Sequence, residues 1–135
     1  MTGGVVAGNK SGSGGGIYAD KGATLKLTGG IISGNATYDK AINNGENTRD
    51  GGYGGGVYTK GAKVTISGSA CITNNRVDAR ITDIDNLGNN GLLGGGGIAC
   101  THDGTLNLTG GFVTANYSYE AGGGVYAGFY DKYND

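Results

Sequence analysis

The residues of this chain best suited to bind a metal ion lie in the stretch TDIDNLGNNG, at 82–91. Asp83, Asp85 and Asn86 offer the kind of oxygen ligand that Ca²⁺ takes in proteins. Their spacing lacks the closing glutamate of a helix–loop–helix calcium site, which favours solvated loop charges instead. We therefore predict no metal site, with Asp83 and Asp85 as weak calcium candidates.

Nucleophilic and acid–base chemistry has little support in the sequence. His102 is the only histidine and has no partner at motif spacing, which is typical of a surface turn. Enzymes that cleave polysaccharides need clustered carboxylates, but the candidate strand positions carry lysine, threonine and asparagine. Cys71 and Cys100 are too few for a disulfide framework and leave open two buried thiols or one disulfide. The sequence predicts no catalytic residue and no cofactor.

Composition narrows the class of protein. The chain has 135 residues, of which 32 are glycine and none is proline, and its formal net charge is −1. A chain this close to neutral has no basic field for nucleic acid. No apolar run is long enough to cross a membrane as a helix. The apolar residues are β-branched or aromatic and alternate along the chain, which indicates strands rather than disorder.

Two short motifs recur along the chain, which indicates a repeat fold. A glycine triplet followed by an aliphatic residue occurs at 14–17, 54–57, 95–98 and 122–125. A short apolar pair closing on asparagine ends at Asn9, Asn35, Asn75 and Asn116. Between the two motifs lies an alternating segment, written ATLKLT, AKVTIS and GTLNLT. Each repeat therefore contains three short β segments separated by glycine or asparagine corners.

Segments this short bury a face only when copies of the repeat stack on one another, as in a solenoid. The sequence therefore predicts an all-β fold, a parallel β-helix of about four coils with three short strands each. Parallel stacking aligns equivalent residues into ladders along the axis. The predicted apolar ladders are Ile17, Val57, Ile98 and Val125; Leu25, Val64 and Leu106; and Leu27, Ile66 and Leu108. The predicted corner ladder of stacked amides is Asn35, Asn75 and Asn116.

The spacing of the repeats locates two insertions. Ile17 and Val57 are 40 residues apart and Val57 and Ile98 are 41 apart, whereas Ile98 and Val125 are 27 apart. The bare coil is therefore about 27 residues, and the insertions lie near 36–52 and 76–93 at the same corner. Insertions on one face of a solenoid are often its binding face, although tolerated surface loops explain them equally well. The candidate binding residues are Asp39, Arg49, Asp50, Arg76, Arg80, Asp83 and Asp85.

Residues 1–135 are expected to form a single β-helix segment with incomplete coils at both ends. The chain starts with the third segment of a coil and ends with the first segment. When the C-terminal sequence is written before the N-terminal sequence, the two together resemble one more coil. This predicts head-to-tail stacking on a second copy, a contact that does not close. A piece of one longer protein is the alternative and implies the same axial stacking. The residues expected at the self-association ends are Val5, Val6, Val125, Tyr126, Phe129 and Tyr130.

The repeated phrase GGGIY…GGI-x-GN resembles the repeats of bacterial polymorphic outer-membrane proteins and autotransporter adhesin passenger domains. That resemblance covers nearly the whole chain apart from the two insertions. It implies a right-handed β-helix, secretion, display at the bacterial cell surface and adhesion. The chain departs from the family in lacking the phenylalanine before the asparagine and a membrane-embedded barrel segment.

We therefore expect a non-enzymatic structural or adhesive segment, extracellular or at the cell surface. Its expected partner is a second copy of itself, with glycans or a host surface as further partners, and with no nucleic acid and no insertion into a membrane. The alternative function is a glycan-binding module. A polysaccharide lyase-like enzyme and an ice-binding protein are the remaining alternatives. Ice binding is considered because threonines on the outward face of the middle strand form a hydroxyl-rich array, which Lys26 and Lys63 interrupt.

Overall fold

The computed structural model describes residues 1–38, 52–78 and 94–128, and its elements there are short strands. Strands form where apolar and polar residues alternate, because successive side chains of a strand point to opposite faces. In Lys63–Ile66, for instance, Val64 and Ile66 are buried while Lys63 is exposed. The alternation therefore directs one face of every coil into a shared core.

Within the described ranges there are fifteen strands, which are two to four residues long and follow one another around the coils. They are β1 Val5–Ala7, β2 Lys10–Ser11, β3 Ile17–Ala19, β4 Thr24–Leu27, β5 Ile31–Ser33, β6 Ala36–Thr37, β7 Val57–Lys60, β8 Lys63–Ile66, β9 Cys71–Thr73, β10 Arg76–Val77, β11 Ile98–Thr101, β12 Thr105–Leu108, β13 Phe112–Thr114, β14 Tyr117–Ser118 and β15 Val125–Ala127.

The strands pair in parallel into four sheets that run along the axis. Sheet I has the order β3-β7-β11-β15, sheet II β4-β8-β12, sheet III β1-β5-β9-β13 and sheet IV β2-β6-β10-β14. Each neighbour in a sheet belongs to the next coil, which is the arrangement of a parallel β-helix. The predicted fold class is therefore confirmed.

The three predicted strands of each coil are present, and a fourth strand of two residues follows each corner asparagine. Ala36–Thr37 and Arg76–Val77 are two of these strands, and they pair with each other in sheet IV. They lie inside the stretches assigned above to the insertions. The coil thus continues to Tyr38 and Asp78, and the longer connections begin beyond those residues.

The predicted apolar ladders are in register and form the core. Ile17 pairs with Val57, Val57 with Ile98 and Ile98 with Val125. The two ladders of sheet II pair as predicted, from Leu25 and Leu27 through to Leu106 and Leu108. The middle members are fully buried, whereas Leu108 and Val125 lie on the last strands of their sheets and are exposed. The core is therefore continuous along the axis and uncovered at its end.

Met1 adds a member to the Leu27 ladder that the sequence analysis did not identify. The N–H of Thr28 donates to the Met1 carbonyl, as the N–H of Ser67 donates to Leu27. Met1 also packs against the core. The thioether therefore occupies the ladder position one coil before Leu27.

Thr37 and Ser118 of sheet IV each carry a buried hydroxyl that has no hydrogen-bond partner among the described residues. Thr37 is fully buried, while Val77 occupies the paired position on the next coil. We expect Thr37→Val to raise the free energy of unfolding by about 1 kcal/mol, because it removes an unsatisfied buried hydroxyl at nearly constant shape. Urea denaturation measures the change. The exposed Thr24→Val should shift it by less than about 0.5 kcal/mol, and equal effects of the two substitutions would contradict this explanation.

Candidate functional site at the coil corners and ends

The corner asparagines form a hydrogen-bonded ladder along the axis. The Nδ2 of Asn35 donates to the Oδ1 of Asn75 at 2.9 Å, and the Nδ2 of Asn75 donates to the Oδ1 of Asn116 at 3.0 Å. The same oxygens also accept the backbone N–H of the preceding asparagine, at 3.0 Å in both steps. The predicted amide ladder is confirmed, and Asn9 extends it by one member through a 3.0 Å bond to Asn35.

The second hydrogen of each side-chain amide ties the ladder to sheet III. The Nδ2 groups of Asn35, Asn75 and Asn116 each donate at 2.9 Å to a carbonyl of the preceding coil, those of Val6, Ile32 and Ile72. Asn35 and Asn75 are fully buried, and both have all their side-chain hydrogen-bonding capacity paired. The corner is therefore held by a satisfied polar network inside the core.

The glycine triplets are required by the close approach of neighbouring backbones. Gly54 has φ +63°, a conformation that residues with a side chain rarely adopt. A Cβ on Gly55 would lie 2.5 Å from the carbonyl oxygens of Arg76 and Gly96, and one on Gly56 would lie 2.9 Å from the Nδ2 of Asn75. The first glycine thus makes the turn, and the other two make room for sheet IV and for the asparagine ladder.

Tyrosines stack along the outer face of sheet I. The rings of Tyr18 and Tyr58 meet edge to face with centroids 5.3 Å apart. Ala99 interrupts the register between Tyr58 and Tyr126, as the sequence indicates. The ring of Tyr53 fills that gap, 5.4 Å from Tyr58 and 6.3 Å from Tyr126. Tyr53 was missed because it lies before the glycine triplet, outside the repeated strand positions.

A chain of hydrogen bonds leads from this stack to His102. The Tyr58 hydroxyl lies 3.1 Å from the Thr101 hydroxyl, which lies 2.7 Å from the Nδ1 of His102. His102 has φ +55°, which agrees with the predicted turn. Thr101 is only 3% exposed, so its hydroxyl is shielded from any substrate in solvent. The geometry supports a role in holding the turn between sheets I and II.

The environment of His102 predicts a pH dependence of stability. Burial, followed by the nearby Lys60 ammonium, lowers the pKa of His102 below its usual value of about 6.5, and the carboxylates of Asp103 and Asp20 oppose this. Because the folded chain binds this proton less tightly than the unfolded chain, stability should fall as the pH drops below about 6.5. We expect His102→Asn, which tolerates the same φ, to flatten the unfolding free energy between pH 7.5 and 5. An unchanged pH profile in urea denaturation would contradict this assignment.

The predicted self-association ends are strands with one unpaired edge. Val5 and Val6 lie on β1, the first strand of sheet III, and Val125 and Tyr126 lie on β15, the last strand of sheet I. Val5 is 67% exposed, whereas Val6 is partly buried and packs against the core. Phe129 and Tyr130 lie outside the described residues. At the last coil, Phe112 and Leu108 are also exposed.

The predicted binding residues are located only in part. Arg76 lies on strand β10, where its Nε makes a 2.8 Å ion pair with the exposed Asp78. The remaining candidates lie outside the described residues, and these are Asp39, Arg49, Asp50, Arg80, Asp83 and Asp85. The structure therefore brings Arg76 to a sheet surface and leaves the other candidates as predictions.

Both cysteines are free thiols. Cys100 is buried, and its sulfur accepts a hydrogen bond from the Thr59 hydroxyl at 3.8 Å. Cys71 is partly exposed on the outer face of sheet III, paired with Ile31 and Phe112. Of the two possibilities that the sequence leaves open, the structure has separate thiols.

Within residues 1–38, 52–78 and 94–128, no three histidine, cysteine or acidic side chains come together as a metal site would need. In the same ranges no helix has the length and apolar character needed to cross a membrane. The fold and the corner geometry together define a parallel β-helix built from glycine–asparagine coils. Comparison of the chain with protein-family models, curated proteins and solved structures finds no match.

Proposed function

We propose that this chain is a non-enzymatic structural or adhesive segment of an extracellular β-solenoid, whose coils stack head to tail. The observation that carries the proposal is the uncovered core at the last coil of the described stack. Leu108 and Val125 continue buried ladders and yet are exposed, and the strands that carry them have one unpaired edge. Another coil of the same kind supplies both the missing backbone partners and the missing apolar cover.

The extracellular location and the adhesive role rest on the resemblance of the repeat to adhesin passenger domains. A second copy of this chain and the next part of a longer array are equivalent sources of the added coil. Both lengthen one continuous core, which is how solenoid repeats gain stability. A rod follows from either source.

Sedimentation velocity over a concentration series, with electron microscopy of the densest sample, tests the proposal. We expect species that grow with concentration and keep a constant width. Ala127→Pro should reduce these larger species at least about tenfold. The Gly128 N–H donates to Cys100 on the neighbouring strand within the chain. Because the N–H groups of alternate residues in a parallel strand point to opposite sides, the Ala127 N–H points outward from the open edge, and proline removes this donor. The exposed, outward-facing Asn107→Ala is the matched control. Monomers at millimolar concentration would overturn self-stacking by this chain.

A glycan-binding module is the second candidate, and a surface of sheet IV favours it. Tyr117 pairs with Arg76, and the register of sheet IV places the exposed Tyr38 and Tyr119 on the coils before and after Asp78, which forms the ion pair with Arg76. We call this set the tyrosine patch; its tyrosines are Tyr38, Tyr117 and Tyr119. Aromatic faces beside a charged pair suit sugar rings, which have apolar faces and hydroxyl edges.

A glycan array tests this second candidate. Binding that is lost in Tyr117→Ala and kept in Tyr18→Ala, which changes an exposed tyrosine of sheet I, would support the patch. Binding that is unaffected by Tyr117→Ala would exclude the patch as the site. The two candidates are separable, because the tyrosine patch lies on a lateral face while stacking uses the ends.

A further inference from the structure

Two columns of hydrogen bonds run along the axis in a single direction. In the asparagine ladder, the N–H and Nδ2 of each member donate to the Oδ1 of the member that follows in the chain. In the glycine triplets, the N–H of Gly15 donates to Gly54, that of Gly55 to Gly95 and that of Gly96 to Gly122. Every donor in both columns belongs to the earlier coil. Paired strands differ, since each strand of a pair both donates and accepts.

In these two columns, the two ends of the described stack therefore have opposite hydrogen-bonding character. At the first coil, the Oδ1 of Asn9 and the carbonyls of Gly14 and Gly15 accept no hydrogen bond within the described residues. At the last coil, the N–H and one Nδ2 hydrogen of Asn116, and the N–H of Gly124, likewise donate to nothing described.

We infer that the stack has a chemical direction: the partner of its last coil is the first coil of a second copy in the same orientation. This rests on the proposed head-to-tail stacking and adds the hydrogen-bond pairing and the register of the junction to it. A two-fold contact between like ends would place donors against donors or acceptors against acceptors, leaving buried polar groups unpaired. Only the same-direction contact pairs them, and such a contact does not close.

The repeated pattern also specifies the register of the junction. If the ladder continues, Asn116 of the first copy donates to the Oδ1 of Asn9 of the second copy. The Nδ2 of that Asn9 then donates to the Val113 carbonyl of the first copy. By continuation of sheet III, β13 pairs with β1 of the second copy. Phe112 then lies beside Val5, as Cys71 lies beside Ile31 within the chain. Neighbouring strands are about 4.8 Å apart, so side chains at these two positions are within reach of a short cross-linker.

Thiol cross-linking tests the direction. Val5→Cys and Phe112→Cys are made separately in a Cys71→Ser background, because Cys71 lies in the same outward column. Cys100 is buried and stays in place. Each protein, and an equal mixture of the two, is treated with a short bis-maleimide and resolved by denaturing electrophoresis. We expect covalent dimer in the mixture and less than about one tenth as much with either variant alone.

The outcomes separate the two proposals. Dimer from Val5→Cys alone, equal to that of the mixture, would show a contact between like ends and overturn the inference while leaving self-association intact. Oligomers in sedimentation without cross-linking in the mixture would overturn the predicted register. Monomers in sedimentation at every concentration would remove the proposed stacking itself, and the inference with it. Thr65→Cys, in the middle of sheet II, replaces Val5→Cys in the control mixture and should give no dimer above background.

Discussion

Asn75→Ala is expected to lower the free energy of unfolding by about 4 kcal/mol, because it breaks the amide ladder at a fully buried position. The Asn75 side chain accepts two hydrogen bonds from Asn35 and donates to Ile32 and Asn116. Its removal leaves two buried donors of Asn35 without an acceptor, at a cost of about 1–3 kcal/mol for each. Urea denaturation followed by circular dichroism measures the loss.

Asn107→Ala is the matched control for this prediction. Asn107 is exposed on the outward face of β12 and its side chain makes no hydrogen bond within the described residues, so we expect a change of less than about 0.5 kcal/mol. A loss of under 1 kcal/mol in Asn75→Ala would mean that the ladder is not a main source of stability. That result would also weaken the directional argument, which depends on the same hydrogen bonds.

Gly55→Ala is expected to have an effect of similar or greater size, because backbone rather than side chain occupies the space. Its Cβ would lie 2.5 Å from the carbonyl oxygens of Arg76 and Gly96. A flexible side chain could yield, but these carbonyls belong to the backbone of strand β10 and of the next glycine triplet, and they can move only if the coils separate. We expect a loss of more than about 4 kcal/mol, beyond the range of most single substitutions. Loss of soluble, folded chain at 37 °C is the simplest readout.

Gly12→Ala is the control for the second prediction. A Cβ on Gly12 would meet nothing within 4 Å, and its φ is not in the left-handed region. Alanine there should leave stability unchanged or raise it by up to about 1 kcal/mol, since it restricts the unfolded chain. Equal destabilisation by the two substitutions would mean that glycine acts through chain flexibility and not through close packing at the triplet.

The sequence predicted the strands and their register well, because these depend on local alternation repeated at equivalent positions. Leu25 and Leu27 are separated by the outward-facing Lys26, and the same order recurs around Thr65 and Asn107. Side-chain direction follows from strand geometry alone, so the inward ladders could be assigned without knowledge of the fold's further contacts. The asparagine ladder was predictable for the same reason, namely that its members recur at one point of the repeat.

The fourth strand column was missed because its strands are too short to carry a pattern in the sequence. Two residues with no shared apolar pattern follow each corner asparagine, as in Asn35-Ala-Thr and Asn75-Arg-Val. A two-residue strand has too few positions to show alternation, so only pairing with the neighbouring coil reveals it. Tyr53 was missed in a similar way, because its ring fills a gap between residues of two other coils.

The sequence by itself therefore determined the repeat, the strands, the inward ladders and the corner residues, all of which follow from properties local to one coil. Only the tertiary structure decided which asparagine donates and which accepts at each step of the ladder, because the partners are 26 to 41 residues apart and meet through stacking. The common direction of those hydrogen bonds, and hence the different character of the two ends, depends on backbone orientation at the corners. No pattern of residue types encodes that orientation, since glycine permits more than one.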